Sequence, residues 1–269
     1  KLARESGIPV HFLTQLYFDL SPAPIVAITG TNGKTTVTSC LYHILKNSSI
    51  PCLMGGNDRH HAQVLNQLDS LPSDGVLVLE VSNRQLLELH TGPSISVLTC
   101  IQADHVDEHG SFVDYLNTKL KLIKLTGTDG WAILNRDDPY FINALESASC
   151  NIATFGAGLP EEIEQSGISN GQLSHHGQSG VMAIVGKDEL QIPGDHNRMN
   201  CLAAATAAIK LGVPINVIRE GLKSFEAVRH RLQLVAEVKG SRFYDDIAST
   251  NPDATVAALN SMRQKVILI

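Results

Sequence analysis

The chain has 269 residues, enough to bury one large core or two modest ones. An apolar content of 43% with 18% charged residues describes a soluble globular protein, and a net charge of −6 argues against a general nucleic-acid surface. No apolar run approaches ~18 residues, so no membrane span is expected, and the N-terminus lacks the long apolar run of a secretory leader.

Residues 1–24 read as a lead-in. Gly7-Ile8-Pro9-Val10 and Ser21-Pro22-Ala23-Pro24 bracket an apolar segment from Phe12 to Leu20 with the character of a short helix. The prolines deliver the chain in extended form to a strand, Ile25-Val26-Ala27-Ile28-Thr29. The strand runs into Gly30-Thr31-Asn32-Gly33-Lys34-Thr35-Thr36, and a helix follows with Val37, Leu41, Ile44 and Leu45 at helical spacing. Strand, glycine bend and helix in that order make a phosphate-binding loop. Gly30 and Gly33 let the backbone turn sharply and approach an anion. The N–H groups and positive dipole end of the helix point at phosphate. Lys34 adds a cation for the outer phosphates, and Thr35 a hydroxyl for Mg²⁺. The common pattern G-x-x-x-x-G-K-[ST] would put its first glycine at Ile28, so this loop is a shorter variant.

Cys52-Leu53-Met54 is a short apolar run, and Gly55-Gly56-Asn57 reads as a turn after it; the turn could also bring Asn57 to face the phosphates. Gly75 to Ser82 is a continuous apolar run of the kind that suits a strand buried on both faces, with Glu80 near its end. A carboxylate there is costly unless paired. Ligands of open α/β sheets sit at the carboxyl ends of strands, so Glu80 is a candidate Mg²⁺ ligand; the alternative is a strand-end carboxylate in solvent. Ser94 to Ile101 is the next strand, followed by Asp104-His105-Val106-Asp107-Glu108-His109, a candidate metal cluster. His-x₃-His alone is poor evidence for zinc, and His109 reads as a surface or capping residue.

A helix from Phe112 to Lys124 puts Phe112, Leu116 and Ile123 on an apolar stripe, with Tyr115, Lys119 and Leu122 alongside. Lys119 beside a buried face either snorkels or serves chemistry. Trp131 to Asn135 reads as a strand, and Arg136-Asp137-Asp138-Pro139 as a turn. Residues 151–193 alternate short apolar pieces, beginning with Asn151 to Phe155, with turns; they read as a small antiparallel patch, with Ser174-His175-His176-Gly177 at a solvated turn. Gly194-Asp195-His196-Asn197 opens an alanine-rich helix through Leu211, with Asp195 or Asn197 as its cap. Gly212 ends that helix and Pro214 starts another. His230-Arg231 follows it. Arg242-Phe243-Tyr244-Asp245-Asp246 then leads through Ile247-Ala248-Ser249-Thr250 to Asn251-Pro252, where a further helix begins. The chain opens on Lys1 and stops inside Lys265-Val266-Ile267-Leu268-Ile269, an apolar strand; a fragment of a longer protein is expected. The five scattered cysteines, without a C-x-x-C, read as reduced thiols in a cytoplasmic protein.

The fold class expected is α/β: a P-loop-type central domain with a mostly parallel sheet flanked by helices, plus the antiparallel patch. Gly30 to Thr36 resembles the phosphate loop of the Mur ligase family, the ATP-dependent amide-bond ligases of peptidoglycan synthesis, and folylpolyglutamate synthases share a version. Gly55-Gly56-Asn57 resembles the D-glutamate-adding members. Ser82-Asn83-Arg84-Gln85-Leu86 is similar to the family's Ser-Ser-Phe-Gln-Leu, with Asn83-Arg84 in place of Ser-Phe. Asp104, His105 and Asp107 resemble Asp-His-x-Asp, Tyr115 to Lys119 resembles Tyr-x-x-x-Lys, and Gly194 to Asn197 resembles Gly-x-His-Asn. Asp245 to Pro252 resembles the switch into the C-terminal domain, with Ala248 where some D-glutamate ligases carry Lys.

That resemblance implies three pieces: 1–22 as the tail of a UDP-binding domain, 23–246 as the central ATPase domain, and 247–269 as the start of a C-terminal Rossmann-like domain. It implies ATP on Gly30, Thr31, Asn32, Gly33, Lys34, Thr35 and Thr36. Asn57 and Arg231 would meet the phosphates, Asn197 the adenine, and Asp246 the ribose or base side. Two Mg²⁺ ions would sit on Thr35 and Glu80, and on His105 and a carbamylated Lys119. Lys34, Lys119 and His105 would be catalytic, with Ser82 and Thr250 toward the substrates, UDP-N-acetylmuramoyl-L-alanine and D-glutamate. The implied reaction phosphorylates the carboxylate of the first, and the amine of the second attacks the acyl phosphate. A monomer is expected, with no nucleic-acid or membrane partner. Alternatives are a sibling ligase, folylpolyglutamate synthesis, or an ATP-binding module without ligase activity, which is how the fragment alone would behave.

Overall fold

The computed structural model describes residues 2–8, 12–57, 63–102, 110–250, 252–262 and 264–269. After a one-turn helix α1 (Leu2–Glu5) the described elements run α2 (Leu13–Leu20), β1 (Ile25–Thr29), α3 (Lys34–Lys46), β2 (Cys52–Gly56), a 3₁₀ turn (Leu65–Ser70), β3 (Val76–Glu80), α4 (Asn83–Leu87) and β4 (Ile95–Leu98). Then come α5 (Phe112–Leu125), β5 (Trp131–Asn135), α6 (Phe141–Glu146), β6 (Asn151–Ala157), β7 (Gln165–Ser169), β8 (Gln172–Gly177) and β9 (Gly180–Gly186). α7 (Asp195–Lys210), α8 (Ile215–Ser224), the hairpin β10 (Gln233–Val238) and β11 (Ser241–Asp245), and α9 (Pro252–Asn260) complete the order.

Among the described residues one sheet has the order β2-β3-β1-β4-β5-β6-β7-β8-β9. β2 through β7 run parallel, and β8 and β9 return antiparallel. β1 and β3 are apolar along most of their length because helices cover both faces, and every residue of each is buried. On one face α3, α7 and α8 pack over Val26, Ile28, Val78, Val97 and Ile133. The run Cys201 to Ala208 in α7 is wholly buried; its small side chains let the helix lie close on α3. The opposite face is covered by α2 and α4 over Ala27, Leu77 and Leu79, and by α5 and α6 over Leu98, Ala132 and Leu134. No described helix is long and apolar enough to cross a membrane.

Several expectations need correction. β2 runs straight through Gly55 and Gly56, so the bend falls only at Asn57. Asn151 to Phe155 belongs to β6, a parallel strand, and the antiparallel part extends the main sheet as its last two strands. Ser174 to Gly177 is not a solvated turn: it lies in β8, and His175 is buried. α7 starts on Gly194 with no side-chain cap, because Asn197 Nδ2 donates back to Pro193 O at 2.7 Å instead. On α5 the buried face centres on Tyr115, Lys119 and Leu122, while Phe112 and Leu116 lie at its margin. Residues 265–269 are exposed and form no strand, having no ladder partner. All five cysteines are free.

Candidate active site

In a parallel sheet all strands end on one edge, and here the chain leaves β1 for β2 on one side and later returns to β4 on the other. The loop after β1 therefore sits where the strand order switches, between the ends of β3 and β4, the usual place for a ligand in such a sheet. Gly30 has φ +146°, and a Cβ on it would stand 1.9 Å from Thr99 Oγ1. Gly33 has φ +85°, and a Cβ there would meet Asn200 Oδ1 at 2.4 Å. Both glycines are thus fixed by close approach as well as by backbone angle. Gly33 caps α3 without a side chain, leaving the positive end of the dipole to an anion.

Cations gather on this bend. Lys34 Nζ donates to Gly30 O at 3.1 Å and to Thr31 O at 2.8 Å. Lys119, only 1% exposed, donates to the same Gly30 O at 2.9 Å and to Thr29 Oγ1 at 3.4 Å, with its ammonium 5.4 Å from the centroid of the Tyr115 ring. Arg231 arrives from 196 residues away and donates to Thr35 Oγ1 at 2.8 Å. It is presented by a strained turn, with His230 at φ +62° and Leu232 at φ +48°. Asp246 braces that turn by accepting from Leu232 N at 2.8 Å and Ser249 Oγ at 2.5 Å. His230 Nδ1 pairs with Asp245 Oδ2 at 2.6 Å, which holds the Asp245 carboxyl below its ordinary range.

Glu80 supplies the negative charge. It lies opposite Ile28 in the sheet and is 3% exposed. One oxygen accepts from Asn57 Nδ2 at 3.3 Å, while Oε2 is buried with no hydrogen-bond partner among the described residues. Gly56, at φ +109°, lets the end of β2 lie close on the β3 backbone, since a Cβ there would meet the Glu80 main-chain carbonyl at 2.1 Å. A buried carboxylate oxygen without a donor costs on the order of several kcal/mol, and a divalent cation is the partner that would satisfy it. Carboxylate and hydroxyl oxygens are the hard donors an ion such as Mg²⁺ takes, and the Thr35 hydroxyl at present accepts from Arg231.

Of the other expected residues, Thr36 is buried in the first turn of α3. Asn197 is buried, one helical turn before Asn200. Ser82 is the N-cap of α4 in a reciprocal capping box with Gln85, so its hydroxyl is already engaged. Thr250 is exposed. His105, with Asp104, Asp107 and His109, lies outside the described residues, and no group of three or more metal-type side chains occurs among those described.

Residues not anticipated also line the loop. Tyr115 OH is 2.8 Å from Thr31 Oγ1, and Gln102 Oε1 accepts from Asn32 Nδ2 at 2.7 Å. Asp138, its carboxyl pushed up by burial, accepts from Ile101 N at 2.6 Å and anchors the segment beyond β4. Asn200 was legible in principle as the residue three beyond Asn197, on the same helix face. The Tyr115 contact crosses 84 positions and carries no local signal.

The family profile of the Mur ligase middle domain matches residues 28–208. The chain belongs to the Mur ligase family. It is 36% identical over 270 residues to the UDP-N-acetylmuramoylalanine–D-glutamate ligase of Pelotomaculum thermopropionicum, a match covering all of this chain and 59% of that protein. The enzyme of the same name from Staphylococcus carnosus is 33% identical, with 98% of this chain and 57% of the relative covered. The chain thus spans a little over half the length of these Mur ligases. Among solved structures, MurF from Acinetobacter baumannii superposes with a TM-score of 0.73 at 23% identity, over 94% of this chain and 57% of the other. The MurF ligase of Thermotoga maritima, solved in complex with ADP, gives 0.67 at 20% identity over 92% and 58%. These likenesses establish the Mur ligase fold.

Proposed function

We propose that this chain is the ATP-handling part of a cytoplasmic ligase that joins D-glutamate to UDP-N-acetylmuramoyl-L-alanine, with ATP converted to ADP and phosphate. The observation that carries the reading is the meeting of Lys34, Lys119 and Arg231 on residues 29–35 beside the unsatisfied carboxylate of Glu80. The names of the relatives support the choice of substrates, and a neighbour solved with ADP supports the nucleotide. Gly30 to Thr36 and the start of α3 would hold the phosphates, with Asn57 and Arg231 on their flanks, Asn197 toward the adenine and Asp246 toward the ribose. Thr35 and Glu80 would hold one Mg²⁺, and His105 with a carbamylated Lys119 a second. When bound, Mg²⁺ supplies charge neutralisation for the phosphoryl oxygens.

The chemistry needs little covalent work from the protein. A carboxylate oxygen of the substrate attacks the γ-phosphorus of ATP, ADP leaves, and the D-glutamate amine then displaces phosphate from the acyl phosphate. Negative charge builds on phosphoryl oxygens, so positioning and cations should account for most of the acceleration. Lys34 can leave the Gly30 and Thr31 carbonyls for phosphate oxygens, and Arg231 can bridge from the Thr35 hydroxyl to the same group. Lys119 now donates to Gly30 O and Thr29 Oγ1 as an ammonium; a carbamate would keep one N–H on Nζ, enough for one of these acceptors.

The test uses the full-length protein with ATP, Mg²⁺, UDP-N-acetylmuramoyl-L-alanine and radiolabelled D-glutamate. Amide and ADP should form in equal amounts, and Lys34→Ala should lower turnover by about 10² or more. Incorporation of a different amino acid would point to a sibling ligase, and ATP binding without amide formation to a binding module. Near-wild-type turnover by Lys34→Ala would remove the role given to the loop.

A further inference from the structure

An anion-binding loop must turn its N–H groups toward the ligand and its carbonyls away. The carbonyls of residues 30–32 each have a donor. Gly30 O takes Lys34 and Lys119, and Thr31 O takes Lys34. Asn32 O takes Thr99 Oγ1 at 2.5 Å, with Cys100 Sγ at 3.6 Å. The lysine that covers two of these carbonyls is mobile in chemistry, because an incoming phosphate competes for it. The Thr99 hydroxyl is not. Thr99 is 4% exposed, its N–H donates to Thr29 O at 3.0 Å, and its carbonyl accepts from Asn135 Nδ2 at 2.9 Å. Asn135 is itself held by Asp137 N, which donates to its Oδ1 at 3.0 Å.

We propose that Thr99 is a positioning residue for the phosphate loop. A trans peptide is planar, so its C=O and N–H point to opposite sides. Pinning the Asn32 carbonyl on Thr99 therefore turns the Gly33 N–H to the far side, away from the sheet end and into the hollow where an anion enters. Asn135, at the end of β5, fixes Thr99 from behind, so the pose of the loop is set by two neighbouring strand ends before any ligand arrives. The closeness of Thr99 to the absent Cβ of Gly30 shows the same clamp from the other side.

This inference rests on the ATP reading above, and its experiment separates the two. Calorimetric titration of the chain with Mg-ATP and, separately, with adenosine isolates the contribution of the phosphates. Thr99→Val keeps the shape and removes the hydroxyl; it should weaken Mg-ATP about 10-fold while leaving adenosine unchanged. Thr99→Ser restores the donor and should return Mg-ATP affinity to within about twofold of wild type. Asn135→Leu keeps the size, adds no charge and cannot donate to Thr99 O; it should cost about threefold on Mg-ATP alone and carries the test if Thr99→Val does not melt cooperatively. Wild-type Mg-ATP affinity in the folded variants, or equal losses of ATP and adenosine, would overturn the positioning role. A wild-type chain that binds no ATP at all would overturn the nucleotide reading and this inference with it.

Discussion

Gly30 and Glu80 carry opposite kinds of stress, and each makes a distinct prediction. Gly30→Ala forces a Cβ to within 1.9 Å of Thr99 Oγ1 at a φ of +146°, so the bend must move. It should cost more than about 2 kcal/mol of stability and weaken Mg-ATP binding at least about 10-fold. Gly240→Ala is the contrast: φ is +80° but nothing lies within 4 Å, so the loss should be about 1 kcal/mol with ATP binding intact. Equal effects of the two in thermal melts and titrations would show that Gly30 is only a turn residue. Glu80 has a buried oxygen with no donor. Glu80→Gln removes the charge, and in metal-free buffer it should raise the melting temperature by a few degrees, roughly 1 kcal/mol. A lower melting temperature would mean that the charge is already compensated. Both residues were legible, the glycine from its loop and the glutamate from its place at the end of an apolar run. The depth of Lys119 was not, because a lysine beside an apolar stripe usually snorkels. The buried carbonyl of Gly30 is the acceptor it reaches, and only the tertiary fold brings that acceptor near.

β8 is the element whose surroundings the sequence hid. His175-His176 has the polarity of a turn, yet Ser174 and His175 face inward because partners wait there. Thr206 Oγ1 of α7 donates to Leu202 O at 2.7 Å and lies 2.8 Å from Ser166 Oγ, and the Ser166 hydroxyl lies 2.9 Å from His175 Nδ1. The other ring nitrogen, His175 Nε2, lies 3.6 Å from Glu164 Oε2. Glu164 is also paired with Lys210, whose ammonium sits 4.2 Å from the centroid of the Trp131 ring. Burial first, and then the charge of Lys210, push His175 from 6.5 down to about 4. Between those values the unfolded chain binds a proton that the folded chain refuses, so stability falls as pH drops from about 6.5 to about 4. The full effect is on the order of 3 kcal/mol. His175→Gln should be less stable than wild type at pH 7, with the gap narrowing toward pH 4 in denaturant titrations. A gap that stays constant with pH would contradict the buried, neutral imidazole.

For the molecule as a whole, the sequence shows the run of strands and helices from β1 to α5 because each strand there is a short apolar block and each helix is periodic. It does not show the order in which strands lie side by side, and that order is what converges the site. β3 and β4 flank β1, so Glu80, Thr99 and Gly30 meet although long stretches of sequence separate them. Arg231 closes the group from the far end of the chain, held by the turn that Asp246 braces. The most direct test of this shared hollow is calorimetric binding of ATP to the wild-type chain with and without Mg²⁺, repeated on Glu80→Gln. The account predicts that Mg²⁺ strengthens ATP binding about 10-fold or more in the wild type and by several-fold less in the variant, which has lost a ligand of the first ion. An ATP affinity indifferent to Mg²⁺ in the wild type, or a Mg²⁺ effect undiminished in Glu80→Gln, would contradict it.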